Sequence, residues 1–317
     1  MGCRGNLIVE TGTRLNSTDI EGKPPRDEHV NIEPSGATLG AIVTDIDLRT
    51  LNEESFAEVE AAWDQYGVLV FADQHLSDEE HLTFTRLFGR LEAGLKRSAG
   101  GTGLGRITNV KADGSVAEPD SLQVRFHQGN LRWHSDSSYK CVGAKASILA
   151  AHVVPETGGE TEWADMRAAY DELDDDLKNY LEDKIAVHSY RYSHSWHGGL
   201  EIIGKEDLEE LPPVEHPVVR AHPRTGRRNL FVGRHASHII GADEEESRAL
   251  LKRLTEEGAQ APRTWKHRWR PGDIGVWDNR CVLHRGHDWP LDQPRVMVRS
   301  TVAGETPDNP WVLDEAV

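Results

Sequence analysis

Short apolar runs recur along nearly the whole chain, at residues 68–71, 148–154, 217–221, 230–232, 274–277 and 296–302. Runs of that length suit buried strands, whereas helices need roughly ten residues or more. Residues 43–48 alternate apolar and polar, as a half-buried strand would. The helices that interrupt this pattern carry start signals. Asn52 precedes a helix presenting Phe56, Val59 and Trp63 on one face and ended by Gly67. Ser77 and Glu80 form a capping box before a helix with Leu82, Leu87 and Phe88 expected inward and Gly89 as its stop. Asp165 heads a helix through Met166, Tyr170 and Leu173, and a further helical stretch holds Leu177 and Leu181. Asp243 and Glu246 precede Leu250, Leu251 and Leu254. Many short strands with a few helices predict a mainly β protein, a double-sheet barrel or jelly roll with helical insertions. Nothing repeats at a solenoid period, and no linker divides the chain. Residues 1–30, polar and rich in Gly and Pro, are expected as a loose arm, with 31–317 as one catalytic domain.

The formal net charge of −17 argues against nucleic acid and anionic membrane as partners. No apolar run approaches the roughly 20 residues of a membrane span, and no secretory segment is seen. The three cysteines, Cys3, Cys141 and Cys281, lack knuckle spacing and are read as free thiols. The cytoplasm is the expected compartment. A small-molecule partner is expected, and homo-oligomerisation is left open.

Sixteen histidines invite a search for metal chemistry. In Trp133-His134-Ser135-Asp136, His134 and Asp136 stand at i and i+2. On a strand both would face the same way, offering an imidazole and a carboxylate to one ion. His284, after the strand-like run at 274–277, is the candidate third ligand. Two His and one carboxylate leave open positions, as Fe(II) oxygenases require, whereas a structural zinc is closed by four protein ligands. His-x-Asp alone is a weak signal, and a surface pair is the plainer reading of it.

Arg295 and Arg299 stand at i and i+4 on an alternating stretch, so both share a face. Arg suits bidentate carboxylate binding, and 2-oxoglutarate is a dicarboxylate. A solvated strand face is the plainer reading of the pair. Thr161 follows the Gly158-Gly159 turn and could present its hydroxyl inward.

Together these pieces resemble the taurine dioxygenase and 2,4-dichlorophenoxyacetate dioxygenase family of Fe(II)/2-oxoglutarate-dependent oxygenases. The resemblance spans about residues 40–310. Its markers are Trp-His-Ser-Asp at 133–136, Gly-Gly-Glu-Thr at 158–161, the His-Pro-rich stretch at 216–223, Gly-Asp-Ile at 272–274, Trp-Asp-Asn-Arg at 277–280 and the paired arginines. The resemblance implies a double-stranded β-helix, with iron at His134, Asp136 and His284. It implies Thr161 and Arg299 on the distal carboxylate of 2-oxoglutarate, Arg295 near its C1 carboxylate, and Asn130 against the primary substrate. The stretches 164–171, 235–238 and 281–286 are similar to the phenoxyacetate branch. The taurine enzymes carry a pocket His and a pocket Tyr where this chain has Gly94 and Arg97, which argues against taurine.

The implied activity is oxidation of a small organic substrate, with O₂ and 2-oxoglutarate consumed and succinate and CO₂ released. Lys96 and Arg97, with Arg191, make an anionic substrate the first expectation, although solvated side chains would look the same. Desaturation or ring closure with the same cofactors is one alternative. A zinc hydrolase or a non-catalytic jelly-roll binding protein is another.

Overall fold

The computed structural model describes residues 30–95, 103–121, 124–125, 128–195, 200 and 203–313. The expected arm, Cys3, Lys96 and Arg97 therefore lie outside the described residues, Val30 excepted. In chain order the elements are β1 (Asn31–Pro34), β2 (Ala41–Thr44), α1 (Glu53–Tyr66), β3 (Val68–Phe71), α2 (Asp78–Phe88), β4 (Leu104–Thr108), β5 (Ala146–Val153), β6 (Thr161–Asp165), α3 (Met166–Asp171) and α4 (Asp175–Leu181). They continue with β7 (Ile185–His188), α5 (Tyr190–Ser195), α6 (Lys205–Glu210), β8 (Val214–Pro217), β9 (Val219–Ala221), β10 (Arg228–Leu230), β11 (Ala236–Ile239), α7 (Glu244–Gly258), β12 (Thr264–His267), β13 (Ile274–Asp278), β14 (Val282–Gly286) and β15 (Val296–Val302). A seven-stranded sheet in the order β1-β2-β3-β13-β5-β15-β4 packs against the smaller sheet β12-β6-β14, and β11-β7-β8 and β10-β9 form two further sheets. All pairings are antiparallel except β2 with β3. This is the mainly β jelly roll with helical insertions that the strand pattern predicts.

The large sheet is buried on both faces, so its central strands show continuous apolar runs rather than alternation. Leu69, Phe71, Ile148, Val276 and Val298 pack under α1 and α2 against Trp63, Phe84 and Phe88. Their neighbours Val68, Val70, Leu149, Trp277 and Met297 turn inward onto Trp163, Trp269 and Val282. Arg299 stands two residues beyond Met297 and so shares that inner face.

The caps form as expected. Asn52 accepts from the Ser55 N–H, Ser77 and Glu80 complete their box, and Gly67 ends α1 in a left-handed conformation at φ 70°. Three expectations shift. Leu87 is 40% exposed, and the buried face of α2 is His81, Phe84, Thr85 and Phe88. His81 and Thr85 turn inward because their side chains hydrogen-bond Ser300 on β15, at 2.9 and 2.6 Å. The strand expected at 43–48 lies at Ala41–Thr44 and gives way to a positive-φ residue, Asp45. The run at 217–221 divides between two strands, β8 and β9. Among the described residues no helix is long and apolar enough to cross a membrane.

Candidate metal centre

His134 does not sit on a regular strand. It forms an isolated antiparallel bridge with His284 on β14, and Asp136 already begins a turn. The two histidines exchange backbone hydrogen bonds of 3.0 and 2.8 Å, which sets their rings side by side at 4.1 Å between centroids. Such directly opposed residues are close neighbours on one face. The turn then carries Asp136 round to them, and its Oδ2 lies 3.6 Å from His284 Nε2. One ligand atom from each of His134, Asp136 and His284 falls within 4.8 Å of the others, all buried.

The protonation of these groups suits a cation. The Nδ1–H of His134 donates to the Arg132 carbonyl at 2.7 Å, leaving Nε2 as a lone pair. Burial pushes His284 down to about 4 and His134 well below its usual value, so both rings are neutral at pH 7. Burial alone would raise Asp136. The Arg299 guanidinium first, then the two histidines and the Ser147 hydroxyl, hold it below the usual carboxylate range. Arg299 Nη1 donates to Asp136 Oδ1 at 2.9 Å, and Ser147 Oγ donates to Oδ2 at 2.6 Å. His284 Nδ1 is buried without a partner among the described residues. Two neutral imidazoles and one ionised carboxylate therefore converge with no fourth protein ligand among the described residues.

Asn279, in the Trp-Asp-Asn-Arg stretch, braces this arrangement. Its Oδ1 accepts from the Asp136 N–H at 3.1 Å and from Trp277 Nε1 at 3.2 Å. Its Nδ2 donates to Ser147 Oγ at 2.9 Å, and its carbonyl accepts from Ser135 Oγ at 2.7 Å. A second group of ligand-type residues, His222, Asp278 and Cys281, is already satisfied. His222 donates to Asp278 at 2.9 Å while its Nδ1 accepts from Thr225, and Arg280 forks onto both Asp278 oxygens at 2.8 and 2.6 Å.

A small cavity of about 60 Å³ opens beside the centre, and Asn130, His134, Thr161, His284, Arg295 and Arg299 all contribute to its wall. The structure thus brings the two arginines, the threonine and the asparagine to the metal ligands. Their order is informative. Arg299 touches Asp136, whereas Arg295 donates to the Gly159 carbonyl at 3.1 Å, two residues before Thr161. Arg295 is 6% exposed, and burial pushes it down to about 10. A larger cavity of about 700 Å³ adjoins the same ligands, lined also by Glu92, Asn130, Tyr139, Arg234, His235 and Arg299.

Arg234 escapes sequence reasoning, since nothing local marks it. Burial pushes it down to about 10, and it has no ion-pair partner among the described residues. A Cβ at Gly129 would collide with its guanidinium, so that glycine makes the space it occupies. Arg191, expected near the substrate, is exposed on α5.

Residues 31–301 match the family described as taurine catabolism dioxygenase TauD, TfdA family. The (S)-phenoxypropionate/alpha-ketoglutarate-dioxygenase of Delftia acidovorans is 43% identical over 284 residues, 87% of this chain and 95% of that protein. The alpha-ketoglutarate-dependent 2,4-dichlorophenoxyacetate dioxygenase of Cupriavidus pinatubonensis is 41% identical over 280 residues, 84% of this chain and 96% of that one. Among solved structures, AAD-2 in complex with Mn(II) and N-oxalylglycine superposes with a TM-score of 0.81 at 40% identity, covering 87% of this chain and 99% of that one.

Proposed function

The chain belongs to the taurine catabolism dioxygenase TauD, TfdA family, and from that premise we propose that its primary substrate is a small aryloxyalkanoate. It is an Fe(II)- and 2-oxoglutarate-dependent dioxygenase that oxidises a small organic molecule and releases succinate and CO₂. Nothing in its relatives favours a zinc hydrolase. The observation that carries the substrate reading is Arg234. This half-buried cation lines the large cavity beside the candidate metal ligands and has no carboxylate of its own among the described residues. A cation partly withdrawn from water without an ion-pair partner is costly, and a ligand carboxylate would satisfy it.

His134, Asp136 and His284 would hold the iron on one side, leaving positions for 2-oxoglutarate and O₂. The chemistry supplied by the bound iron is activation of O₂ coupled to oxidative decarboxylation of 2-oxoglutarate. The chain's own residues orient the two organic partners. The order of the arginines supports assignments opposite to those the family resemblance implies. Arg299, against Asp136, would meet the metal-side carboxylate. Arg295, four residues and about 13 Å back along the chain, would meet the distal one together with Thr161. Asn130 lines both cavities and would separate cosubstrate from substrate. One oxygen atom of O₂ enters succinate and the other enters the substrate C–H bond. A hydroxyl placed on the carbon bearing an ether oxygen gives a hemiacetal, which breaks to a phenol and a 2-oxo acid.

The test compares phenoxyacetate, both enantiomers of phenoxypropionate, taurine, an alkyl sulfate and a neutral aryl ether for succinate formed above the uncoupled background. Coupling is expected with the aryloxy acids, and Arg234→Gln should raise their KM roughly thirtyfold or more while sparing that of 2-oxoglutarate. Coupling with the neutral ether alone would refute the carboxylate reading.

A further inference from the structure

Ser137, directly after Asp136, holds φ at 56°, a left-handed conformation that side-chain-bearing residues rarely adopt. A residue persists there only when its surroundings determine it. The turn it opens closes when the Lys140 N–H donates to the Ser137 carbonyl at 2.9 Å. Both ends of that turn are gripped by one carboxylate oxygen from elsewhere in the fold. Glu92 Oε1 accepts from Ser137 Oγ at 2.6 Å and from Lys140 Nζ at 2.8 Å. Glu92 and Lys140 are 8% and 4% exposed at their side chains, so this is a buried pair rather than a solvated one. Lys140 Nζ is held further by the Ala93 carbonyl at 3.2 Å and by the Trp311 ring at 4.3 Å.

Glu92 is itself fixed in space. Its N–H donates to the Thr301 carbonyl at 2.8 Å, and the Ala93 N–H donates to the Trp311 carbonyl at 2.7 Å. Thr301 lies two residues beyond Arg299 on β15. The Glu92 side chain therefore ties the turn that follows Asp136 to the strand that carries the guanidinium on Asp136. It adds a second link between that segment and β15, beside the Asp136–Arg299 contact.

We infer that Glu92 is a positioning residue for the metal centre: through Ser137 and Lys140 it sets the left-handed turn that aims the Asp136 carboxylate and keeps it in register with Arg299. The inference rests on the assignment of His134, Asp136 and His284 as metal ligands. Residues that orient a metal ligand change metal affinity about ten- to a hundredfold when removed, without touching the metal.

The test measures Mn(II) affinity of the metal-free full chain anaerobically, reading unbound Mn(II) by electron paramagnetic resonance, with circular dichroism and Tm as checks of folding. Glu92→Ala and Ser137→Ala should each weaken Mn(II) binding about tenfold or more. The double variant should be little worse than either, because both cut the same connection. Ser137→Gly reaches positive φ unaided and should retain more affinity than Ser137→Ala. If Glu92→Ala does not fold, Ser137→Ala carries the test. A folded Glu92→Ala or Ser137→Ala within about twofold of the parent, or losses that multiply in the double variant, would overturn the inference. His134→Ala separates the two levels. If it binds Mn(II) as tightly as the parent, the ligand assignment has failed. If it loses binding while both tether variants keep it, only the role of Glu92 has failed.

Discussion

Replacing Arg295 with Met should damage 2-oxoglutarate binding while leaving the ligand-free protein as stable as before, or more so. The side chain is 6% exposed, burial depresses it to about 10, and it has no ion-pair partner among the described residues. Its contacts are one hydrogen bond to the Gly159 carbonyl, the face of Trp289 at 4.9 Å, and a buried Nε without a partner. A buried cation in that state carries a desolvation cost that the distal carboxylate of 2-oxoglutarate would offset. Losing one partner of such a pair costs about 2–5 kcal/mol. At about 1.4 kcal/mol per tenfold, that is a rise in KM for 2-oxoglutarate of roughly thirtyfold to a few thousandfold. Methionine is shorter but unbranched, apolar and flexible, so the ligand-free protein loses only part of the packing around Trp289 and sheds an unpaired charge. Two assays separate these effects: steady-state KM for each substrate, and Tm with Mn(II) present, with and without 2-oxoglutarate. The Tm gain from 2-oxoglutarate should shrink in the variant because ligand stabilisation scales with affinity. A KM within about threefold of the parent, with the Tm gain intact, would show that the distal carboxylate lies elsewhere.

Asn279→Ala should leave the Asp136 N–H and the Trp277 Nε1–H without acceptors, at about 1–3 kcal/mol per orphaned buried donor; an unchanged urea midpoint would contradict the bracing role. Acid should destabilise the fold through His81 and His216, both pushed down to about 4 by burial. Because the unfolded rings titrate near 6.5, the unfolded chain binds more protons below that pH. Stability is then full above about 6.5 and lost as pH falls toward 4, by on the order of 3 kcal/mol per ring. Urea midpoints that stay level between pH 7.5 and 4.5 would refute this.

The strands and caps were readable because their signals are local: a four-residue apolar run or an Asn-x-x-Ser cap needs no distant partner to be understood. Leu87 shows where that stops. Residue type suggested it faces inward, but β15 decides which face of α2 is buried, and Ser300 draws in His81 and Thr85. The three candidate metal ligands converge, although not on the regular strand that the i, i+2 spacing suggests. His134 and Asp136 converge through a bridge and a turn rather than a strand, and the spacing survives because either geometry brings i and i+2 together. The arginine pair was found for its spacing, yet spacing is symmetric and cannot say which end meets the metal. Only the contact of Arg299 with Asp136 breaks that symmetry.

Arg234 marks the deeper boundary. It becomes visible only when a loop before the bridge, a glycine at 129 and the start of β11 are brought together around one cavity. Iron and 2-oxoglutarate demand fixed residue types at fixed spacings, because a metal tolerates few donors and a dicarboxylate has a set length. A substrate wall has no such requirement. Any segment that reaches the cavity can supply the cation, so the same charge can be delivered from unrelated positions in the chain. The cofactor chemistry is therefore legible in motifs, whereas a substrate-facing cation such as the one proposed at Arg234 would show only once the fold has assembled its cavity.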